Sequence, residues 1–376
     1  MVELYMDCVR KMKARWRLIR NKVKALKLNI YRKIYDKRVQ QIDFEPSKIK
    51  SVLLLRWDNK LGDAIMCGGF IKLLRQYRPD IQITVLTGAT TKLWLDKAAP
   101  ADNYILYSKA NRKQIITDNI GKFDLFIDLG THYNHKDLYL SSQFKARHYL
   151  GFNKQQYNLF DVEVASQHVH FKNRYIAAAQ QLISQPIDDQ CLLPIPEFSQ
   201  QRVALQQLIS QSQQKFKHVV GVNLFGSSKY RRFSFERAKT LICKWRQQFP
   251  DDLLVIIPTP GEDKFIEALV AAVKDEMIIL PQSPACFEMS LAIIDVADFT
   301  FTPDTAVVHM ASALNKPVIG IYRHNMQNYE EWKPLGKHSQ RLLNRKPFCD
   351  NDSVHIHEFD WQQLVSVRAT ILKALV

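Results

Sequence analysis

No stretch of this sequence is apolar for the roughly eighteen residues that a membrane-spanning helix requires. A secretory leader is missing too, because residues 1–40 are charged throughout instead of having an apolar middle. The six cysteines, Cys8, Cys67, Cys191, Cys243, Cys286 and Cys349, have neither metal-ligand nor disulfide-framework spacing. That fits a reducing cytoplasm. Acidic residues are scarce at the start: residues 1–40 hold thirteen Lys and Arg against Glu3, Asp7 and Asp36 alone. No nucleic-acid fold motif is present, and the aromatics are not interleaved as a base-stacking platform. No convincing metal cluster appears either. Asp350-Asn351-Asp352 has acid spacing that could ligate a divalent ion, but it reads as loop chemistry.

What is present is a globular composition, 46% hydrophobic over 376 residues. That length exceeds one ordinary core, so two domains are expected. Most of the net charge of +16 sits in the first forty residues. There, Val2, Met6, Val9, Met12, Trp16, Ile19, Val23, Leu26, Ile30 and Ile34 recur at spacings of three and four, a helical stripe. Basic residues lie mostly off it. A long cationic amphipathic helix suits an anionic membrane surface, with Arg10, Lys13, Arg17, Arg20 and Lys24 as candidate lipid contacts. Packing on the protein's own body, or nucleic-acid binding, would use the same residues differently.

Beyond this arm, strands alternate with helices. Ser51 to Arg56 reads as a buried strand, then a polar turn containing Gly62 and Asp63, then a helix from Ala64 to Arg78. Strands follow near residues 83–87, 104–107 and 123–129, with a helix near 91–97. The pattern weakens from Phe152 and restarts with a strand at Val219 to Phe225. Helices are expected at 235–248, 262–274 and 287–296, and strands at 253–258, 277–280, 298–302 and 317–322. A final amphipathic helix spans 361–375. Such alternation implies parallel βαβ units. The expected divisions are a basic helix at 1–48, Rossmann-like domains at 49–195 and 196–350, and a C-terminal segment, 351–376, packing back toward the first domain.

Four turns after strands carry chemistry. Asp63 opens a helix after Gly62 and could act as a general base or simply as a cap. The loop Gly226 to Ser234 offers Ser227, Lys229 and Arg231 to a diphosphate. Glu262, in the turn Thr259 to Asp263, could accept ribose hydroxyls or merely start a helix. In TPDTAVVHMASALNKPVIGIY, Asp304 and Thr305 are good N-cap residues. His309 shares a helical face with Thr305, and the helix start offers N–H groups to an anion. Together these turns lay out sugar transfer from a nucleotide donor.

These motifs resemble the ADP-heptose:lipopolysaccharide heptosyltransferases, glycosyltransferase family 9. PDTAVVHMASALNKPVIGIY is similar to that family's D-T-G-x-x-H-x-A-A-x-x-x-x-P segment. LLLRWDNKLGDAI is similar to its opening strand and L-G-D turn, and RRFSFERAKTL to K-x-W-P-x-E-x-x-x-x-L. The resemblance implies the GT-B fold: two Rossmann-like domains facing across a cleft, here with an extra basic amphipathic N-terminal helix. It implies Asp63 as catalytic base and Arg231 at the donor diphosphate. It implies Glu262 on the donor ribose, with Asp304, Thr305, Ala306 and His309 around phosphates and sugar. Ala306 stands where the family has glycine, Ser312 where it has alanine, and Arg231 where it has lysine. The implied activity is inverting, metal-independent heptosyl transfer from ADP-heptose to a lipopolysaccharide inner-core acceptor at the cytoplasmic face of the inner membrane. No cofactor and no nucleic-acid partner are expected. Another nucleotide-sugar donor, a different acceptor, or a non-catalytic sugar-nucleotide or glycan-binding protein are the alternatives.

Overall fold

The computed structural model describes residues 2–38, 42–57, 59–131, 133–165, 167, 169–188, 193–281, 285–347 and 356–375. Side chains at 2–11, 13, 14, 17, 229 and 345–347 lie outside that description. The chain divides into two units, residues 1–59 with 66–192, and residues 60–65 with 193–376.

The first unit begins with a long helix, α1 (Val2–Tyr35). Strand β1 (Ser51–Arg56) leads to α2 (Leu61–Tyr77), whose first turn is grouped with the second unit. Then come β2 (Gln82–Thr87), α3 (Ala89–Ala98), β3 (Asn103–Leu106), α4 (Arg112–Asn119) and β4 (Leu125–Asp128). α5 (His135–Gln143), β5 (His148–Phe152), β6 (Val162–Val164) and α6 (Phe171–Gln180) complete the unit. All pairings are parallel, in the order β3-β2-β1-β4-β5-β6. β1 is buried from Val52 to Arg56, as expected of a parallel strand covered on both faces. Leu53, Leu55, Phe126, Phe144 and Tyr149 form a fully buried cluster, and each such side chain stabilises the fold by about 1.5–3 kcal/mol.

The second unit repeats the order. It holds α7 (Ser199–Ser210), β7 (His218–Val222), α8 (Phe235–Gln248), β8 (Asp252–Ile256), α9 (Asp263–Val273), β9 (Ile278–Ile279) and α10 (Phe287–Val296). β10 (Phe299–Pro303), α11 (Ala306–Ala313), β11 (Val318–His324), α12 (Met326–Trp332), β12 (Gln340–Pro347) and α13 (Trp361–Leu375) follow. The strands lie as β12-β11-β10-β7-β8-β9, again all parallel. Trp245 of α8 packs on Phe299 and Phe301 and donates its indole N–H to Asp252 Oδ2 at 2.8 Å.

Two expectations change here. The stretch after Phe123 is richer than its pattern suggested, with α5, β5, β6 and α6 closing the first sheet. The C-terminal helix, expected against the first domain, packs on the second unit's own core. Leu364 and Ile371 are buried in that core, and Arg368 Nε donates to Asp252 Oδ2 at 2.9 Å. The apolar face of α13 follows Trp361 and Leu364 onto Phe249 and Trp245, so packing explains the destination.

Candidate functional site

In the second sheet the strand order reverses between β7 and β10, and the crevice beyond the carboxyl ends of two such strands is where open α/β sheets take ligands. Both strands are followed by polar residues, Asn223 after β7 and Asp304 and Thr305 after β10, that the topology brings together. After β7 comes Asn223, buried at the start of the loop. Its amide donates to the Phe225 carbonyl at 3.0 Å, to Thr302 Oγ1 at 2.9 Å and to Thr305 Oγ1 at 3.2 Å. Its Oδ1 accepts from the Phe225 N–H. One buried amide thus ties the β7 loop to the β10 loop.

Gly226 lets that loop close. A Cβ there would sit 2.6 Å from the Arg231 carbonyl oxygen and 3.1 Å from Thr305 Cγ2. The loop then turns through residues 229–231 as a single 3-10 turn. This delivers Arg231, whose guanidinium lies 3.2 Å from Asp304 Oδ2 and donates to the Asp304 carbonyl at 3.3 Å. Asp304 also accepts from Asn328 Nδ2 at 3.3 Å. Burial pushes the Asp304 carboxyl above its ordinary range, against the pull of Arg231, Asn328 and Lys60. Tyr322 is buried beside it, and its phenol is raised well above its usual value, by burial first and by the Asp304 charge second.

Thr305 is the N-cap of α11, accepting from the Val307 N–H at 3.3 Å, and Ala306 is the first helical residue. His309 is buried one turn on, with its ring 5.7 Å from that of Trp332. Residues 60–65 are grouped with this same unit. Gly62 lies so close to His309 that a Cβ would fall 2.9 Å from its Cδ2. Asp63 follows in the first turn of α2 and is buried. The L-G-D turn and the DTA-x-x-H motif, far apart in sequence, are neighbours.

The sequence assigns Asp63 to the first domain and Arg231, Asp304, Thr305, Ala306 and His309 to the second; in the structure the latter five lie at the β7–β10 edge, and the turn holding Asp63 is grouped with that same unit. Glu262 precedes α9 without capping it and pairs with Arg232 at 2.7 Å, while Arg232 stacks over Phe225. Ser227 is exposed in the Gly226 loop, and the Lys229 side chain lies outside the described residues. So do the side chains of Arg10, Lys13 and Arg17, whereas Arg20 and Lys24 are exposed on α1. Asp350-Asn351-Asp352 also lies outside the described residues. Among the described residues no three or more His, Cys, Asp or Glu converge as metal ligands, and no helix is long and apolar enough to cross a membrane. Asn223, Asn328 and Lys60 were missed, and Arg232 was read only as one of the three cations of the Gly226 loop. Only Asn223 carried a signal, as the one polar side chain inside the run VVGVNLF.

Two parallel six-stranded sheets of identical strand order, each with helices, are the architecture of the GT-B fold. Comparisons agree. The family model for glycosyltransferase family 9 (heptosyltransferase) matches residues 255–355. A relative from Escherichia coli (strain K12), provisionally named lipopolysaccharide heptosyltransferase 4, is 22% identical over 309 residues, covering 80% of this chain and 82% of its own length. Among solved structures, a family 9 glycosyltransferase from Veillonella parvula DSM 2008 superposes with a TM-score of 0.61 at 16% identity, over 86% of this chain and 97% of that one. The E. coli ADP-heptose lipopolysaccharide heptosyltransferase II gives 0.56 at 17% identity, over 87% of this chain and 100% of its own. These likenesses support a glycosyltransferase enzyme whose sequence similarity is to the heptosyltransferases of family 9.

Proposed function

We propose that the protein moves heptose from ADP-heptose to a lipopolysaccharide inner-core acceptor, with inversion and without a metal, at the cytoplasmic face of the inner membrane. The observation that carries this reading is the gathering of Arg231, Asp304, the α11 start and the Gly62-Asp63 turn within one unit. Asp63 takes the proton from the acceptor hydroxyl. The acceptor oxygen then attacks the anomeric carbon as the bond from that carbon to the donor phosphate oxygen breaks, and ADP leaves with the electron pair. Its growing charge meets the Arg231 guanidinium and the N–H groups at the start of α11. Ser227 and Lys229 border the same loop. Arg231 is held by Asp304 in a geometry that a diphosphate oxygen can share, because a guanidinium has five donors. Glu262 accepts the donor ribose hydroxyls, with Arg232 fixing its carboxylate.

Thermal stability with ADP, UDP, GDP and ADP-heptose tests the donor, since a ligand bound only by the folded state raises Tm by mass action. A rise with ADP and a larger one with ADP-heptose is expected. A rise only with UDP or GDP would keep the glycosyltransferase and sink the heptose donor. Product mass after incubation with acceptor, with and without a chelator, tests transfer and metal independence. Donor affinity without product across several acceptors would point instead to a nucleotide-sugar-binding protein.

A further inference from the structure

Helix α1 has two different faces. Its C-terminal part is docked on the first unit through Leu28, Tyr31 and Tyr35. Tyr31 and Tyr35 make edge contacts with His135 and Tyr139 of α5, at ring distances of 5.1 Å each. Arg32 lies over the Tyr157 ring, and buried Asp36 accepts from the Leu159 N–H at 2.9 Å. The other face carries Met12, Trp16, Ile19, Val23, Leu26, Ile30 and Ile34, all exposed. At 3.6 residues per turn this stripe is centred roughly 130° around the helix from the docked side chains. Even beside the docking contacts it stays out: Leu26 is 61% exposed, Ile30 48% and Ile34 55%. An amphipathic helix that served only to pack on its own body would turn its apolar stripe inward.

The stripe's spacing would also suit a coiled-coil seam with a second copy, with Trp16, Val23 and Ile30 at one core position and Met12, Ile19 and Leu26 at the other. The flanks argue against it. Arg15 and Lys22 line one side and Arg20 and Lys27 the other, all exposed. Pairing two copies would set like charges opposite each other, where coiled coils use opposite ones. A nucleic acid would use the cations and leave seven exposed apolar side chains in water. An anionic bilayer uses both, since apolar groups enter the interfacial layer and nearby cations are drawn to the anionic headgroups.

We propose that the outward stripe of α1 lies in the interfacial layer of an anionic phospholipid bilayer, and that the docked end holds the carboxyl edge of the first unit's sheet at that surface. The second half follows from where α1 is fastened. His135 opens the helix after β4, and Tyr157 and Leu159 belong to the loop after β5, so the anchor points lie beyond the carboxyl ends of both strands. Loops at that edge are where an α/β unit meets a ligand. The purpose of the arrangement rests on the lipid-linked acceptor proposed above, but the lipid contact does not. The lipid-facing cations are then Arg15, Lys22, Arg20 and Lys27, beside the stripe, and not Lys24, which falls on the docked side.

The full-length chain should be sedimented with vesicles of phosphatidylethanolamine and phosphatidylglycerol, and with phosphatidylcholine vesicles alone. Binding to the anionic vesicles is expected, weakened by salt, with little to phosphatidylcholine. Trp16→Glu with Ile19→Glu should cut the bound fraction roughly tenfold or more, and Lys22→Glu should weaken binding more than Lys24→Glu despite the same charge change. Unchanged binding in the double variant, or equal loss in the two lysine variants, would overturn the proposal. So would a dimer that the double variant dissolves in sedimentation velocity, or duplex DNA displacing the vesicles. The ADP-dependent rise in Tm, measured in each variant, reports folding and the donor site separately. A chain that binds vesicles without an ADP response would sink the donor reading alone. One that responds to ADP and ignores vesicles would sink the membrane inference alone.

Discussion

The two units share one strand order and use its carboxyl edge differently. In the first, two cations near that edge, Lys154 and Arg174, are taken up by the protein's own acceptors. Lys154 donates to the carbonyls of Gly130 and Phe152 and sits 4.0 Å from Asp128. Arg174 donates to the carbonyls of Leu129 and Val169 and to Thr131 Oγ1, clamped between the rings of Phe152 and Phe171. Both side chains are almost wholly buried. In the second unit Arg231 and Arg232 are partly exposed, and each faces one carboxylate. The same topology makes a closed polar lattice in one case and a partly open basic edge in the other. What differs is how many of each cation's donors the protein itself consumes.

The largest effect is expected at the proposed base. Asp63→Asn should lower turnover by roughly 10²–10⁴ while keeping the ADP-dependent rise in Tm. Near-normal turnover would remove Asp63 from the mechanism. Next comes a matched pair of cations. Arg231→Ala should weaken ADP binding by roughly tenfold to a hundredfold in calorimetry. Arg174→Met should leave ADP binding alone and lower stability by about 3 kcal/mol, because two carbonyls and a hydroxyl lose a buried partner. If Arg174→Met weakened ADP binding as much as Arg231→Ala, the two edges would not differ as described.

A third test uses pH. Asp137 closes the capping box of α5, and its carboxyl is pushed up to about 7, by burial first and the nearby Asp128 charge after it. Its folded pKa exceeds the unfolded value, so the folded state holds the extra proton and loses stability as pH rises from about 4 to 7. Asp137→Asn should therefore raise Tm at pH 8 and lose that advantage towards pH 4. A pH-independent effect would mean that the cap, not the charge, dominates. The smallest expected effect is Tyr322→Phe. The buried Tyr322 hydroxyl has no hydrogen-bond partner among the described residues, so its removal should change stability by less than about 1 kcal/mol in denaturant unfolding. A large loss would reveal a polar role that Asp304 shares.

The parts legible in the sequence were those with strong local patterns. β1, α8, α10 and α13 begin and end where periodicity and flanking residues placed them. The region from α4 to α6 was harder. β6 has three residues, β5 starts with a buried histidine, and α4 and α5 are polar over most of their length. Their identity comes from pairing with strands already in place, which no local window contains. At the site, Asp304, Thr305 and His309 were visible because one helix start carries all three. Asn223 and Asn328 were not, because each acts across distances in sequence that only the fold closes. Glu262 was read as a ribose ligand or a helix start, and neither reading foresaw its pairing with Arg232. That pairing depends on the path of the Gly226 loop. In the basic arm, the docked aromatic face of α1, Tyr31 and Tyr35, was hidden from a stripe count that looked only for one side.

The bond from Arg368 to Asp252 also concerns how the protein is made. Asp252 begins β8, near the middle of the second unit, and is completely buried. Its carboxylate is met by Trp245 from the preceding helix and by Arg368 from α13. α13 is synthesised after every other described element. Until the ribosome has delivered it, β8 carries an acid that its own neighbours satisfy only in part, and Leu364 and Ile371 are missing from the core. Domains tend to fold as units while the chain emerges. The first unit can do so early, whereas the second must wait for α13 before it can close around Asp252.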